Sequence, residues 1–198
     1  MFSSSLEKPL THPQFHANRD EVDYAYRLGK IYYQGSIYNA PGGIASGAES
    51  FGSVPQDFAR AKTYFLSVAR HVWPAQPISG MKKKAHLTKI EGVDDGTLVT
   101  AISSAAYLGR MHLRGEGVKQ DIKVARIWFE RGAEYNEKEC LNALGIIWRD
   151  GLLEKKTDLK VAYEYFVAAA GQDLAEAQIN LGKYHYGTPC LSRRDASF

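Results

Sequence analysis

Cysteine is scarce in this chain: Cys140 and Cys190 are its only two in 198 residues. Two are too few for a disulfide framework, and they form no metal-ligand spacing. Cys140 falls four residues before a leucine, where a later copy of the same pattern has Ala177, so it reads as a small core residue. No His-Glu-x-x-His, Gly-x-Ser-x-Gly or paired-cysteine motif occurs, which leaves zinc hydrolysis and nucleophile-elbow chemistry without support. His12 and His16 stand four apart, but Pro13 falls between them in a polar terminus, which argues against a metal site. Long apolar runs are missing too. The longest uncharged stretch of helical character, 96–109, is too short for a bilayer and contains Thr and Ser. The N-terminus has no apolar signal core, and no Asn-x-Ser/Thr sequon is found. Charge of one sign does not dominate: 25 Lys and Arg interleave with 22 Asp and Glu, which makes no case for nucleic acid. The one tight basic run, Lys82-Lys83-Lys84, lacks interleaved aromatics and reads as solvated loop. From these absences the chain is expected to be cytosolic or nuclear if expressed as it stands, without cofactor or metal, and not an enzyme.

What is present is a repeated sentence. Leu28-Gly29 with Gly35, Leu108-Gly109 with Gly115, and Leu144-Gly145 with Gly151 each place a glycine seven residues after the leucine, and a fourth copy opens at Leu181-Gly182. The last three leucines recur about every 36 residues, the spacing of a helical repeat rather than of an enzyme domain. Each complete copy has a second half anchored on an aspartate: Asp57…Ala61…Tyr64-Phe65, Asp121…Ala125…Trp128-Phe129, and Asp158…Ala162…Tyr165-Phe166.

One copy shows the physics. A first helix, A, carries Ala105, Leu108, Gly109 and His112 at helical spacing. Gly109 has no side chain, so a second helix can lie close against it. Gly115 and Gly117 close helix A, and Asp121 is placed to cap helix B through its side-chain oxygen. Ala125, Trp128, Phe129 and Gly132 form the buried stripe of helix B, and Asn136 follows where a residue tolerant of left-handed geometry ends the unit. Asp173 holds the matching place in the next copy. His112 and His185 occupy an aromatic place of helix A, so packing accounts for these two histidines. Such a unit cannot bury its stripe alone, and the predicted fold class is an all-α solenoid of stacked helix-turn-helix repeats.

The expected organisation follows. Residues 1–21 are a disordered N-terminal segment, and 22–70 form repeat one with a Gly-, Ser- and Ala-rich loop insertion at 36–53. Residues 71–100 form an inserted linker, either partly disordered or functional, with helix regained from about Thr97. Repeat two covers 101–136 and repeat three 137–173. An incomplete fourth repeat spans 174–187, and 188–198 is a divergent polar tail. Helix A of the fourth copy has no following helix B pattern, so the chain is expected to be a piece of a longer array or to have that surface covered by a partner.

The pattern Leu-Gly-x-x-(aromatic)-x-x-Gly-x-Gly-Val-x-x-Asp-x-x-x-Ala-x-x-(Trp/Tyr)-Phe resembles the Sel-one-like repeat, a relative of the tetratricopeptide repeat, over residues 22–35, 54–70 and 104–187. More specific stretches are Pro41-Gly42-Gly43-Ile44, Val54-Pro55-Gln56-Asp57-Phe58 and Arg70-His71-Val72-Trp73-Pro74. With Trp128-Phe129-Glu130-Arg131-Gly132 and Leu144-Gly145-Ile146-Ile147-Trp148, they resemble the fungal luminal scaffold subunit of the ubiquitin ligase of endoplasmic-reticulum-associated degradation. That resemblance implies a non-catalytic adaptor in the endoplasmic reticulum. Its implied partners are a membrane RING ubiquitin ligase and a client-delivering lectin. Activators of chitin synthase carry arrays of the same class and give the alternative. Tyr26, Tyr33 and Tyr38 are expected to be exposed near repeat one, either as anchors for a partner or as core aromatics uncovered by the lack of a preceding repeat. The sequence leaves open whether the block binds or only spaces other binding regions.

Overall fold

The computed structural model describes residues 19–37, 53–79, 90–153 and 157–187, with the side chains of 36, 37, 53 and 184–187 excepted. The bulk of the expected N-terminal segment, most of the 36–53 insertion, the lysine run, Cys190 and the 188–198 tail lie outside the described residues. The helices, in chain order, are α1 (Arg19–Gln34), α2 (Phe58–Arg70), α3 (Asp95–Arg114), α4 (Ile122–Ala133), α5 (Lys138–Arg149), α6 (Leu159–Ala170) and α7 (Ala175–Gly187). Two short strands, β1 (Ser36–Ile37) and β2 (Ser53–Val54), pair antiparallel with Ser36 opposite Val54. The fold is an all-α solenoid: α1, α3, α5 and α7 are A helices, and α2, α4 and α6 are B helices.

Each B helix starts where its aspartate stands. The carboxylates of Asp57, Asp121 and Asp158 accept the backbone N–H groups of Arg60, Val124 and Val161 at 3.0, 3.0 and 3.1 Å. Asp94 and Glu137 do the same for α3 and α5, accepting from Thr97 and Cys140 at 3.0 and 2.7 Å. Each bond satisfies an N–H that the helix itself leaves unpaired. The turns use left-handed backbone where expected. Gly35, Gly115 and Gly151 have φ of 70°, 78° and 60°, and Asn136 and Asp173 have 59° and 58°. An L side chain other than Asn or Asp is disfavoured there.

The core is laid down joint by joint. Within a repeat the phenylalanine of helix B presses on the helix A glycine. A Cβ built on Gly29, Gly109 or Gly145 would stand 2.7, 2.5 or 2.6 Å from Cε1 of Phe65, Phe129 or Phe166. Between repeats, small residues meet. Cys140 is fully buried against Gly132, and Ala169 against Ala177. Burial pushes the Cys140 thiol well above its usual pKa, so it stays protonated and acts as a packing residue.

Three expected boundaries need correction. Residues 19–21 are helical rather than part of the N-terminal segment; Asp20 and Glu21 in the first turn favour the positive end of the helix dipole. Helix α3 begins at Asp95, two residues before helix was expected to resume at about Thr97, because Asp94 caps it. The 36–53 insertion is not loop at its two ends, where β1 and β2 pair.

The segment after α2 is also held. Val72 and Trp73 are buried, and the Trp73 N–H donates to the Ala69 carbonyl at 2.8 Å. Arg131 of α4, itself fully buried, reaches this segment and donates from Nη2 to the Ala75 carbonyl at 2.6 Å. Its guanidinium carbon lies 5.5 Å from the centre of the Trp73 ring and 4.6 Å from that of Trp128. Desolvation lowers its pKa to about 10, which leaves it cationic at neutral pH.

Candidate functional site

A solenoid offers its surface as a functional site, and the contacts decide which side is the inner one. Helix α1 packs against α3 and α3 against α5, whereas consecutive B helices meet at most at their margins. Closer approach on the A side makes that the inner, concave side of the curved array.

The A side carries a line of aromatic and polar contacts running from repeat one to repeat four. Tyr107 of α3 stacks on Phe65 at 4.6 Å between ring centres and meets Tyr33 and Tyr26 edge-on at 5.1 and 6.3 Å. Two cations border this cluster: Lys30 Nζ lies 5.7 Å from the Tyr26 ring, and the Arg110 guanidinium lies 5.4 Å from the Tyr107 ring. Arg110 also pairs with Glu139 of α5 at 2.6 Å. Further along, Asn180 of α7 donates from Nδ2 to Asn142 Oδ1 at 2.9 Å, and Arg149 Nη1 donates to Asn180 Oδ1 at 3.0 Å.

The three tyrosines are placed differently from one another. Tyr33 was expected to be exposed and is not: it is 9% exposed, and its hydroxyl donates to Glu116 Oε2 at 2.6 Å. Burial, with that acidic partner second, pushes its phenol pKa up to about 12. Tyr26 is half-buried and packs on Phe65 at 6.0 Å. Tyr38 lies outside the described residues. Tyr26 and Tyr33 point forward to repeat two, where Tyr107 fills the space, rather than outward to a missing preceding repeat. Sequence reasoning missed Tyr107, whose signal was an aromatic immediately before Leu108-Gly109, where the other copies have Arg27, Ala143 and Asn180. It also missed Tyr24, which is 51% exposed.

Among the described residues no group of three or more His, Cys, Asp or Glu side chains is placed to hold a metal ion. Burial, aided by Lys62, lowers the His112 pKa, so this half-buried ring packs as a neutral group. Among the described residues no helix is long and apolar enough to cross a membrane.

Stacked A–B hairpins with a continuous core define an α-solenoid of helical repeats. The family model described as Sel1 repeat matches residues 22–41, 46–71, 102–134, 138–174 and 175–197. The chain belongs to the Sel1 repeat family. It is 27% identical over 104 residues to an uncharacterized Sel1-like repeat-containing protein of Schizosaccharomyces pombe, a match covering 52% of this chain and 14% of that protein. A protective antigen of uropathogenic Escherichia coli displaying an SLR fold shares the fold at a TM-score of 0.51 and 19% identity, over 86% of this chain and 29% of that one. A Sel1 repeat protein from Oxalobacter formigenes superimposes at a TM-score of 0.49 and 18% identity, over 84% of this chain and 92% of its own. The chain thus spans a small part of the length of the curated relative it matches. Sel1 repeats mark a protein-interaction scaffold.

Proposed function

We propose that the chain is a non-catalytic adaptor that seats partner proteins along its A side, within a ubiquitin ligase complex of endoplasmic-reticulum-associated degradation. The observation that carries the adaptor reading is the strip of Tyr26, Lys30, Tyr107 and Arg110, aromatic faces bordered by cations on the inner side of a curved array. Half-buried aromatics and arginine are the residues that most often anchor a protein partner. The narrower assignment is supported by the sequence resemblance at 41–44, 54–58, 70–74, 128–132 and 144–148. It names a membrane RING ubiquitin ligase and a client-delivering lectin as partners, and the endoplasmic reticulum lumen as the compartment.

The test is proximity labelling of the chain in a fungal cell, with a luminal targeting signal added. The expected result is labelling of the RING ligase or the lectin. A charge-reversed Lys30→Glu, Arg110→Glu variant with an unchanged circular dichroism spectrum should lose that labelling. Labelling of chitin synthase, or of chaperones only, would remove the degradation assignment and leave the scaffold fold standing.

A further inference from the structure

The A helices do not begin in step, and the mismatch opens a notch between two of them. Helix α5 starts at Lys138, six residues before Leu144, and α7 at Ala175, six before Leu181. Helix α3 starts at Asp95, thirteen before Leu108. Its first seven residues, 95–101, are two turns with no counterpart in α5. One flank of them is held: Thr97, Thr100 and Ala101 are buried, and the Thr100 hydroxyl reaches the Asp23 carboxylate of α1 at 3.1 Å. The other flank is bare. Val99 is 63% exposed there and lines a notch of about 330 Å³ with Ile102, Ser103, Tyr135, Glu137 and Gln172.

The walls are fixed in advance. Gln172 Nε2 donates to the Asn136 carbonyl at 2.8 Å, which ties the turn after α6 to the turn after α4. The Tyr135 ring meets Trp73 edge-on at 6.3 Å. The surroundings are acidic. Asp95 stands one turn before Val99 on the same face of α3, Glu134 precedes Tyr135, and Asp173 follows Gln172; all three are exposed. Glu137, which also caps α5, adds a fourth carboxylate, and among the described residues the lining holds one cation, Lys138. The notch is open along one side and at the small end of the range for ligand pockets, which suits one protruding side chain rather than an enclosed small molecule.

We infer that the notch docks a segment of a partner protein in which one large apolar side chain is flanked by lysine or arginine. The apolar side chain covers Val99 and packs on Ile102 and the Tyr135 ring, while its cationic neighbours face Asp95, Glu134, Glu137 and Asp173. Burial of exposed apolar surface draws the segment in, and charge complementarity selects it over neutral or acidic ones. A further repeat does not cover this place, because the site lies between repeats two and three, which are already stacked on each other. The chain's own lysine run, 82–84, begins three residues after Ser79, which stands beside Gln120, Asp121 and Lys123 at the opposite end of α4. The notch is about 20 Å away along that helix, beyond the roughly 17 Å that five extended residues span. Val99 is eight residues before Tyr107, about 12 Å along α3, so the site is separate from the Tyr107–Arg110 strip. It does not depend on the degradation assignment.

The probe is a fluorescein-labelled peptide, Ser-Lys-Arg-Phe-Lys-Arg-Ser, titrated into the full chain by anisotropy while the chain's amide signals are followed by NMR. Saturable binding with shifts at Val99, Ile102 and Tyr135 is expected. Exchanging the peptide's phenylalanine for alanine should weaken binding at least about tenfold, and a peptide with glutamates in place of its cations should not bind. Val99→Arg in the chain should abolish binding with an unchanged thermal midpoint, since the side chain is exposed. Glu134→Gln with Asp173→Asn should weaken binding severalfold and flatten its salt dependence, and asparagine keeps the left-handed backbone at 173. Absent saturation, equal binding of the alanine or glutamate peptide, or equal binding to Val99→Arg would each overturn the proposal. So would binding that appears only after the lysines within 80–89 are exchanged for glutamine, which would give the notch to the chain itself.

Discussion

The same substitution, glycine to alanine, is expected to act with opposite signs at Gly109 and Gly182. At Gly109 the new methyl carbon would meet Phe129 Cε1 at 2.5 Å. Carbon atoms rest about 3.5–4.0 Å apart, so the ring must retreat by about 1 Å. It has little room to do so, because Phe129 is buried among Ala125, Cys140, Leu144 and Ile147. Overpacking of this kind costs roughly 1–3 kcal/mol, offset by a helix-propensity gain of about 0.8–1 kcal/mol for alanine over glycine. The net loss is up to about 2 kcal/mol, a fall of up to roughly 8 °C in thermal midpoint for a domain of this size. At Gly182 the clash term is missing among the described residues and the propensity gain stands alone, about 0.8–1 kcal/mol of stabilisation. Far-UV circular dichroism melts of the two variants beside the parent chain decide the matter. Equal shifts, or a destabilised Gly182→Ala with an unaffected Gly109→Ala, would refute the close-packing argument.

Other outcomes follow from single residues. Tyr33 has a pKa of about 12 in the folded chain against about 10 unfolded. Below pH 10 both states keep the proton and its contribution is whole. Between pH 10 and 12 the unfolded chain loses the proton first, so stability falls by on the order of 1.4 kcal/mol per pH unit, a slope that Tyr33→Phe removes in urea titrations. Arg131→Ala should cost about 3 kcal/mol by emptying the space between Trp73 and Trp128, and should speed proteolysis within 71–79. Arg131→Met keeps the volume and should stay near the parent in the same assays. Asp121→Ala should lose about 1 kcal/mol with the N-cap of α4, measured by urea denaturation.

Much of the fold was readable because its determinants are local. The caps at Asp57, Asp121 and Asp158 and the left-handed Asn136 and Asp173 depend on nearest neighbours along the chain, and each stands where its residue type predicts. The close approach at Gly109 was readable from the absence of a side chain at a fixed place in the repeat. What escaped depends on contacts between distant segments. Arg131 in a helix pattern reads as a solvated charge, and only Trp73, carried over by the segment after α2, makes its burial tolerable. Tyr33 reads as exposed until Tyr107 is placed beside it and Glu116 accepts a hydrogen bond from its hydroxyl. The A-side strip was missed for the same reason, since Arg110 and Glu139 belong to different repeats and no spacing rule pairs them.

The guanidinium held between two indoles also has a spectroscopic consequence. Trp73 and Trp128 are two of the three tryptophans in the chain, and both face the same buried cation. Intrinsic fluorescence is therefore dominated by one joint, that between the segment after α2 and helix α4. Local release of that segment would move the emission to the red while the helices, and the far-UV signal they produce, stay in place. Light emitted by this protein reports an undocked strap long before it reports an unfolded chain.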